Sequence, residues 1–312
     1  MGGQRPEVAN NSITKPLLVR ESLPDRTRLR SEVRHASQGL WAVVLGTAAL
    51  YFVFPFYWLV IAMTKTNSSL FGSFGLWFSD PFALFDNVRT VLSYQDGIYA
   101  VWTANSFLYS GVTAALASLV ASLAGYALAK YRFRGREAVF GAVLVSLMIP
   151  STALVLPLFL ILRQLGWINS YWAIIVPSVA NPFGTFLMRM YIRDSIPDDL
   201  LDAARVDGAS ELRIFSGIVL RLIGPGIATL FLLTFVGTWN NFFLPLVALN
   251  DPKYFPLTVG LATWNAASTF GRELLYNVVI TGTVLSVVPL VVLFFFLQRY
   301  WQSGLTIGSL RG

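Results

Sequence analysis

The chain has 312 residues, 55% hydrophobic and 12% charged, with a formal net charge of +7, one histidine and no cysteine. Ordinary soluble domains carry about 25% charged residues, so this composition excludes a soluble globule with a conventional charged surface and points to the bilayer as solvent. Disulfides, thiolate chemistry and cysteine-based metal sites are excluded outright, and nucleic-acid binding is disfavoured because the basic residues sit in gaps between apolar runs instead of lining one face.

Residues 1–37 are polar and basic, with Arg20, Arg26, Arg28, Arg30 and Arg34, and are expected to form a cytoplasmic tail. They do not read as a secretory signal, because the basic region and the apolar run after it are both too long. His35 lies in this tail, where it makes neither a metal site nor a relay. Six runs, at about 40–63, 104–129, 138–162, 171–191, 222–247 and 275–298, are long and apolar enough to span a bilayer. The expected fold class is therefore an all-α membrane protein with six transmembrane helices occupying residues 38–301. Prolines 55, 150, 157, 177, 182, 225, 245 and 289 fall within the runs, where neighbouring groups in a membrane bundle can satisfy the carbonyls they free. Alternate gaps are rich in arginine and lysine, which places both termini in the cytoplasm. A cytoplasmic loop is then expected at about 192–221, an outer loop at about 249–274 and a cytoplasmic tail at 302–312.

In the second run Ala117, Ala121, Gly125 and Ala129 recur at i+4 beside Ala114, Ser118 and Ser122, a pattern that lets helix backbones approach closely. Thr234, Thr238 and Asn241 share one face of the fifth run, and Asn181 and Thr185 lie in the fourth. Such polar groups mark a solute pathway or serve as interhelical hydrogen bonds. In the outer loop, Tyr254, Phe255, Trp264 and Asn265 suit either contact with an outside partner or anchoring at the membrane interface.

The cytoplasmic segment SIPDDLLDAARVDG, 195–208, reads as a short helix over 196–207. Ser195 is the expected cap, Pro197 fits the first turn and Gly208 the C-terminal stop. Ile196, Leu200, Ala203 and Ala204 share one low-profile face, suited to lying in a cleft of another protein or on its own bundle.

This segment resembles the cytoplasmic loop of ABC-importer permeases, E-A-A-x-x-x-G, here Asp202-Ala203-Ala204-Arg205-Val206-Asp207-Gly208. Preceded by Ile196-Pro197, it is most similar to the second permease of maltose-type carbohydrate importers. Asn105-Ser106, Gly125 to Lys130, Phe133-Arg134-Gly135, Met148-Ile149-Pro150, Trp239 to Phe242 and the final Gly304 to Gly312 extend the resemblance over nearly all the chain from residue 40. Asp202 stands where the family usually has Glu, and Arg221 where a Pro is frequent.

The resemblance implies a type I ABC importer permease fold without catalytic or metal-binding residues. Ile196, Leu200, Asp202, Ala203, Ala204, Asp207 and Gly208 would couple to an ATPase subunit dimer. Leu305, Thr306 and Gly308 of the tail would touch the same subunits, and the outer aromatic loop would meet an extracytoplasmic solute-binding protein. A second permease subunit would complete the pathway for a sugar or oligosaccharide. The chain has no G-x-x-x-x-G-K-[ST] phosphate loop, so ATP and magnesium would be handled by the ATPase partners and no cofactor by this chain. Three alternatives remain: a permease of the same type for a non-sugar solute such as a glycerol phosphate, an ion-coupled secondary carrier, and a membrane-embedded enzyme. The runs hold almost none of the buried acids or histidines a carrier needs, and no inverted repeat is evident. For an enzyme only the acidic cluster at 194–211 qualifies, and its interleaved arginines suit a docking surface.

Overall fold

The computed structural model describes residues 2, 3, 26–271 and 275–308, with backbone alone for 26–37 and 299–308. By internal contacts the chain divides into two units, Met1–Phe56 and Tyr57–Gly312. Every element described is helical. Helix α1, Arg26–Ala62, continues through Pro55, and the large apolar side chains at 40–56 that it carries in the first unit are exposed.

In the second unit, α2 (Asn67–Gly72) and α3 (Leu84–Ser93) follow. Asn87 of α3 reaches back to the end of α1, its Nδ2 donating to the carbonyls of Met63 at 2.8 Å and Lys65 at 2.9 Å. Helix α4, Ile98–Lys130, has 33 residues, about 50 Å at 1.5 Å per residue. Helices α5 (Arg136–Leu147) and α6 (Val155–Gln164) meet at a 97° bend. Next come α7 (Trp172–Val179), α8 (Pro182–Ser195), α9 (Asp198–Val206) and α10 (Glu211–Ile214). A π-helical turn, Phe215–Val219, leads into α11 (Leu220–Leu222), and a 77° bend separates this stretch from α12 (Gly224–Trp239). Helices α13 (Phe243–Ala248), α14 (Leu257–Thr269) and α15 (Tyr276–Gly308) complete the chain.

Three stretches, Gln38–Ala62, Ile98–Lys130 and Tyr276–Gln298, are single helices long and apolar enough to cross a membrane, and each bent pair adds one more if counted as a span. The fourth predicted run is instead two helices, α7 and α8. Asn181 precedes Pro182, and the proline ring forces it into an extended conformation, φ −116° and ψ 92°. The Asn181 side chain then accepts from Gly184 N at 2.8 Å and caps α8. Proline is thus tolerated less uniformly than expected. Pro55, Pro177 and Pro289 lie inside helices. Pro150 sits at the α5–α6 bend, while Pro157, Pro182, Pro225 and Pro245 fall in the first turn of a new helix.

Helix α4 is the centre of the unit, and its small residues are why. Ala114, Ala117, Ser118, Ala121, Ser122 and Gly125 are all buried, and α8 and α12 pack along it. A Cβ on Gly125 would lie 2.7 Å from the Arg189 backbone nitrogen and 2.8 Å from Met188 Cβ. Gly184 of α8 has the same tightness toward Leu230 and Ala121. Gly125→Val should force α4 and α8 apart and destabilise the chain by about 1–3 kcal/mol. A lowered thermal midpoint of the detergent-solubilised protein would register this, whereas an unchanged midpoint would rule out tight contact.

Two buried clusters share α4. Around its first half lie Trp102, Tyr109, Trp239, Leu257 and Trp264. Around its second half lie Tyr126, Met188, Ile192, Leu201, Ile214 and Ile223. Arg189 binds α8 to α5: its guanidinium stands 3.5 Å over the Phe140 ring and its Nη2 donates to Glu137 at 3.3 Å.

Candidate functional site

The 195–208 segment folds as predicted in kind but not in detail. Ser195 is the last residue of α8 and caps nothing. Ile196 and Pro197 are extended, because a residue before proline is driven from helical geometry, and Pro197 takes the cap position without a side-chain bond. Asp198 and Asp199 occupy the first turn and Arg205 the last, each complementing the helix dipole. The C-terminus closes as a Schellman motif: Ala209 N donates to Ala204 O and Gly208 N to Arg205 O, both at 3.0 Å. Gly208 adopts φ +77°, the left-handed geometry that glycine accepts most cheaply.

The predicted docking face divides. Ile196 is buried and Ala204 half-buried, both packed into the cluster with Leu201, Ile214 and Phe215. They seat α9 on its own bundle and are not available as a contact surface. Leu200, Ala203, Asp202, Asp207 and Gly208 are exposed. Two residues outside the predicted set are large, apolar and outward: Val206 at 88% exposure on α9 and Leu212 at 75% on α10. Their signal was available, since both are large apolar residues flanked by charges.

Polar bonds hold α9 to the end of α4. Arg205 donates from Nη1 to Asp202 Oδ1 at 2.7 Å and from Nε to Glu211 Oε1 at 2.8 Å. The other Glu211 oxygen accepts from the Tyr131 hydroxyl and, at 3.4 Å, from that of Tyr126. Burial, then donation to Glu211, pushes the Tyr131 phenol up, so it remains a donor. Asp202 is therefore already paired within its own helix. On the other flank, Lys130 Nζ, 6% exposed in its side chain, donates to the Ile196 carbonyl and to Asp198 Oδ1 at 2.7 Å. This bond holds the Asp198 carboxyl below its ordinary range. The pairing is complete at neutral pH and is lost only as pH falls through that depressed value.

The first half of α4 grips the segment before α14 in the same way. Asn105 Nδ2 donates to the carbonyls of Lys253 at 2.8 Å and Phe255 at 3.0 Å. Trp102 Nε1 donates to Pro252 O at 2.9 Å, the Tyr109 hydroxyl to Tyr254 O at 2.8 Å, and Leu257 N to Ser106 Oγ at 2.8 Å. Half of the predicted outer loop is thus the helix α14. Phe255 and Trp264 are buried core residues and not surface contacts; Trp264 packs 4.7 Å from Trp102, which finds its room at Gly260. Tyr254 is half-buried against Tyr171, and only Asn265 of the four is exposed.

Among the pathway candidates, Asn181, Thr185 and Thr234 make hydrogen bonds within the bundle. Asn181 Nδ2 donates to Thr234 Oγ1 at 3.0 Å across α8 and α12, and Thr185 Oγ1 bonds the Asn181 carbonyl at 3.2 Å. Asn241 lies beyond the end of α12, and its carbonyl accepts from Thr258 at 2.8 Å. Thr238 is half-buried on α12. The side chains of Leu305 and Thr306, and any contact of Gly308, lie outside the described residues; the backbone there continues α15. Among the described residues no cluster of His, Asp or Glu could hold a metal ion.

Comparison with known proteins gives a consistent picture. The profile of the family described as "Binding-protein-dependent transport system inner membrane component" matches residues 117–307. The chain is 38% identical over 275 residues to the arabinooligosaccharides transport system permease protein AraQ of Halalkalibacterium halodurans, covering 87% of this chain and 96% of that one. It is 36% identical over 273 residues to the lactose transport system permease protein LacG of Rhizobium radiobacter, covering 86% and 94%. A crystal structure of a bacterial ABC transporter involved in import of the acidic polysaccharide alginate superposes with a TM-score of 0.72 at 25% identity, covering 89% of this chain and 99% of its own.

Proposed function

The chain belongs to the family of binding-protein-dependent transport system inner membrane components, and from that premise we propose that it is a permease subunit of an ATP-driven importer for a sugar or oligosaccharide. The relatives transport arabinooligosaccharides and lactose, which supports a carbohydrate cargo over a glycerol phosphate. It spans the membrane six times, α7 and α8 together making the fourth crossing, with both termini in the cytoplasm. It works with a second permease, an ATPase pair that handles ATP and magnesium, and a solute-binding protein outside. It performs no chemistry and carries no cofactor itself.

One observation carries the coupling role. Helix α9 has an inner face sealed onto its own bundle and an outer side where Leu200, Ala203 and Val206 stand exposed, as does Leu212 at the start of α10. Such a helix offers an apolar surface for a groove while its base stays fixed. Displacement of α9 reaches α4 through Lys130, Glu211, Tyr126 and Tyr131. At the far end, about 37 Å from Lys130 by helical rise, Asn105 holds the segment facing the solute-binding protein.

The test is purification of the intact assembly in mild detergent, followed by ATPase assays in liposomes with the co-purified binding protein. Oligosaccharide should stimulate hydrolysis, and uptake should stop when ATP is withheld. Sugar uptake persisting without any ATPase subunit would overturn the assignment in favour of an ion-coupled carrier.

A further inference from the structure

Beyond Tyr131, the turn between α4 and α5 has no part in the coupling network, yet it concentrates positive charge. Arg132, Arg134 and Arg136 lie within five residues, with Phe133 exposed between the first two. Gly135, at φ +86°, reverses the chain directly into α5. A cleft of about 520 Å³ opens here, lined by Arg132, Phe133, Gly135, Arg136, Glu137 and Ala138. The acid in the lining is already neutralised, since Glu137 is bonded by Arg136 at 2.8 Å and Arg189 at 3.3 Å. Arg132 and Arg134 form no ion pair or side-chain hydrogen bond among the described residues; the nearby carboxylate, Asp198, is held by Lys130.

We infer that this cleft binds the headgroup of an anionic phospholipid, with Arg132 of its lining on the phosphate, Arg134 adding positive charge from the adjoining turn, and Phe133 against the upper acyl chain. The position argues for lipid over a protein partner. The turn joins two apolar helices at their ends, where a headgroup layer lies, and an exposed phenylalanine beside free guanidiniums matches that boundary. The site rests on the membrane topology proposed above, but a lipid disc presents headgroups to both faces, so its test does not depend on which side is cytoplasmic.

The experiment places the assembled transporter in discs of phosphatidylcholine with a minority of phosphatidylglycerol and counts retained lipids by native mass spectrometry. Arg132→Gln with Arg134→Gln should lower phosphatidylglycerol retention about thirtyfold, since each surface arginine contributes roughly fivefold. Arg193→Gln with Arg221→Gln, which removes equal charge elsewhere, should leave retention unchanged. Equal loss in both double variants would show general charge attraction and overturn the site, as would no loss in either. Release of ATPase subunits by the first variant with lipid retention intact would assign the turn to a protein contact and likewise overturn it. Sugar-stimulated ATPase activity, measured separately, reports whether the importer reading stands.

Discussion

Val206→Asp combined with Leu212→Asp is expected to strip the ATPase subunits from the assembly and abolish coupled transport, while the chain itself remains folded and inserted. Both side chains are exposed in the isolated chain, and substitutions at such positions change stability by about 0.5 kcal/mol or less. Within a docked groove the balance reverses. Each apolar side chain contributes roughly 1.5–3 kcal/mol on burial, so losing both weakens docking by about 3–6 kcal/mol, or about 10²–10⁴-fold. Two readings on one sample decide it: the thermal midpoint of the chain, and the amount of ATPase that co-purifies. An unchanged midpoint with the ATPase gone supports the patch. Full ATPase retention and full transport in the double variant would remove α9 from the docking surface.

Asn105→Ala is expected to produce the opposite defect, an assembly that keeps its ATPase but no longer answers the solute-binding protein. The Asn105 amide satisfies the Lys253 and Phe255 carbonyls together, and leaving a buried carbonyl without a donor costs about 1–3 kcal/mol. The 252–257 segment should loosen from α4 while α9, at the far end, is untouched. Binding-protein stimulation of ATP hydrolysis should fall about tenfold or more, as a loss of this size in coupling implies. Asn105→Asp, nearly isosteric but unable to donate, should share the defect. If the aspartate variant is stimulated normally, the hydrogen bonds are not what connects the two ends.

Much of this was legible in the sequence because it depends on local rules. The small-residue stripe of α4 follows from i+4 spacing, and the end of α9 from Gly208. The breaks in the third, fourth and fifth runs were not legible, because hydropathy summed over twenty residues does not register that Pro150, Pro182 or Pro225 opens a new helix. Trp264 and Phe255 misled for a different reason. An aromatic near an apolar run looks the same whether it anchors to the interface or fills a core, and only Gly260, making room for Trp102, distinguishes the cases. Ile196 was assigned outward because helical periodicity was extended across Pro197, where the helix had not yet begun. Asn105 and Lys130 were visible only as part of a family resemblance; their long-range partners give physical content to it.

The π-helical turn at Phe215–Val219 and the bend before α12 bear on how work crosses the membrane. Along the covalent route, α9 is followed by the Gly208 turn, a helical stretch Glu211–Leu222 widened by the π turn, and a 77° corner, so the path is broken twice before α12. The unbroken column of α4 is stiffer and is reached only sideways, by side chains. On the coupling proposed above, load follows stiffness, so the stroke would bypass the next residues in the chain and enter a helix laid down some seventy positions earlier, as Lys130 and Asp198 are 68 apart.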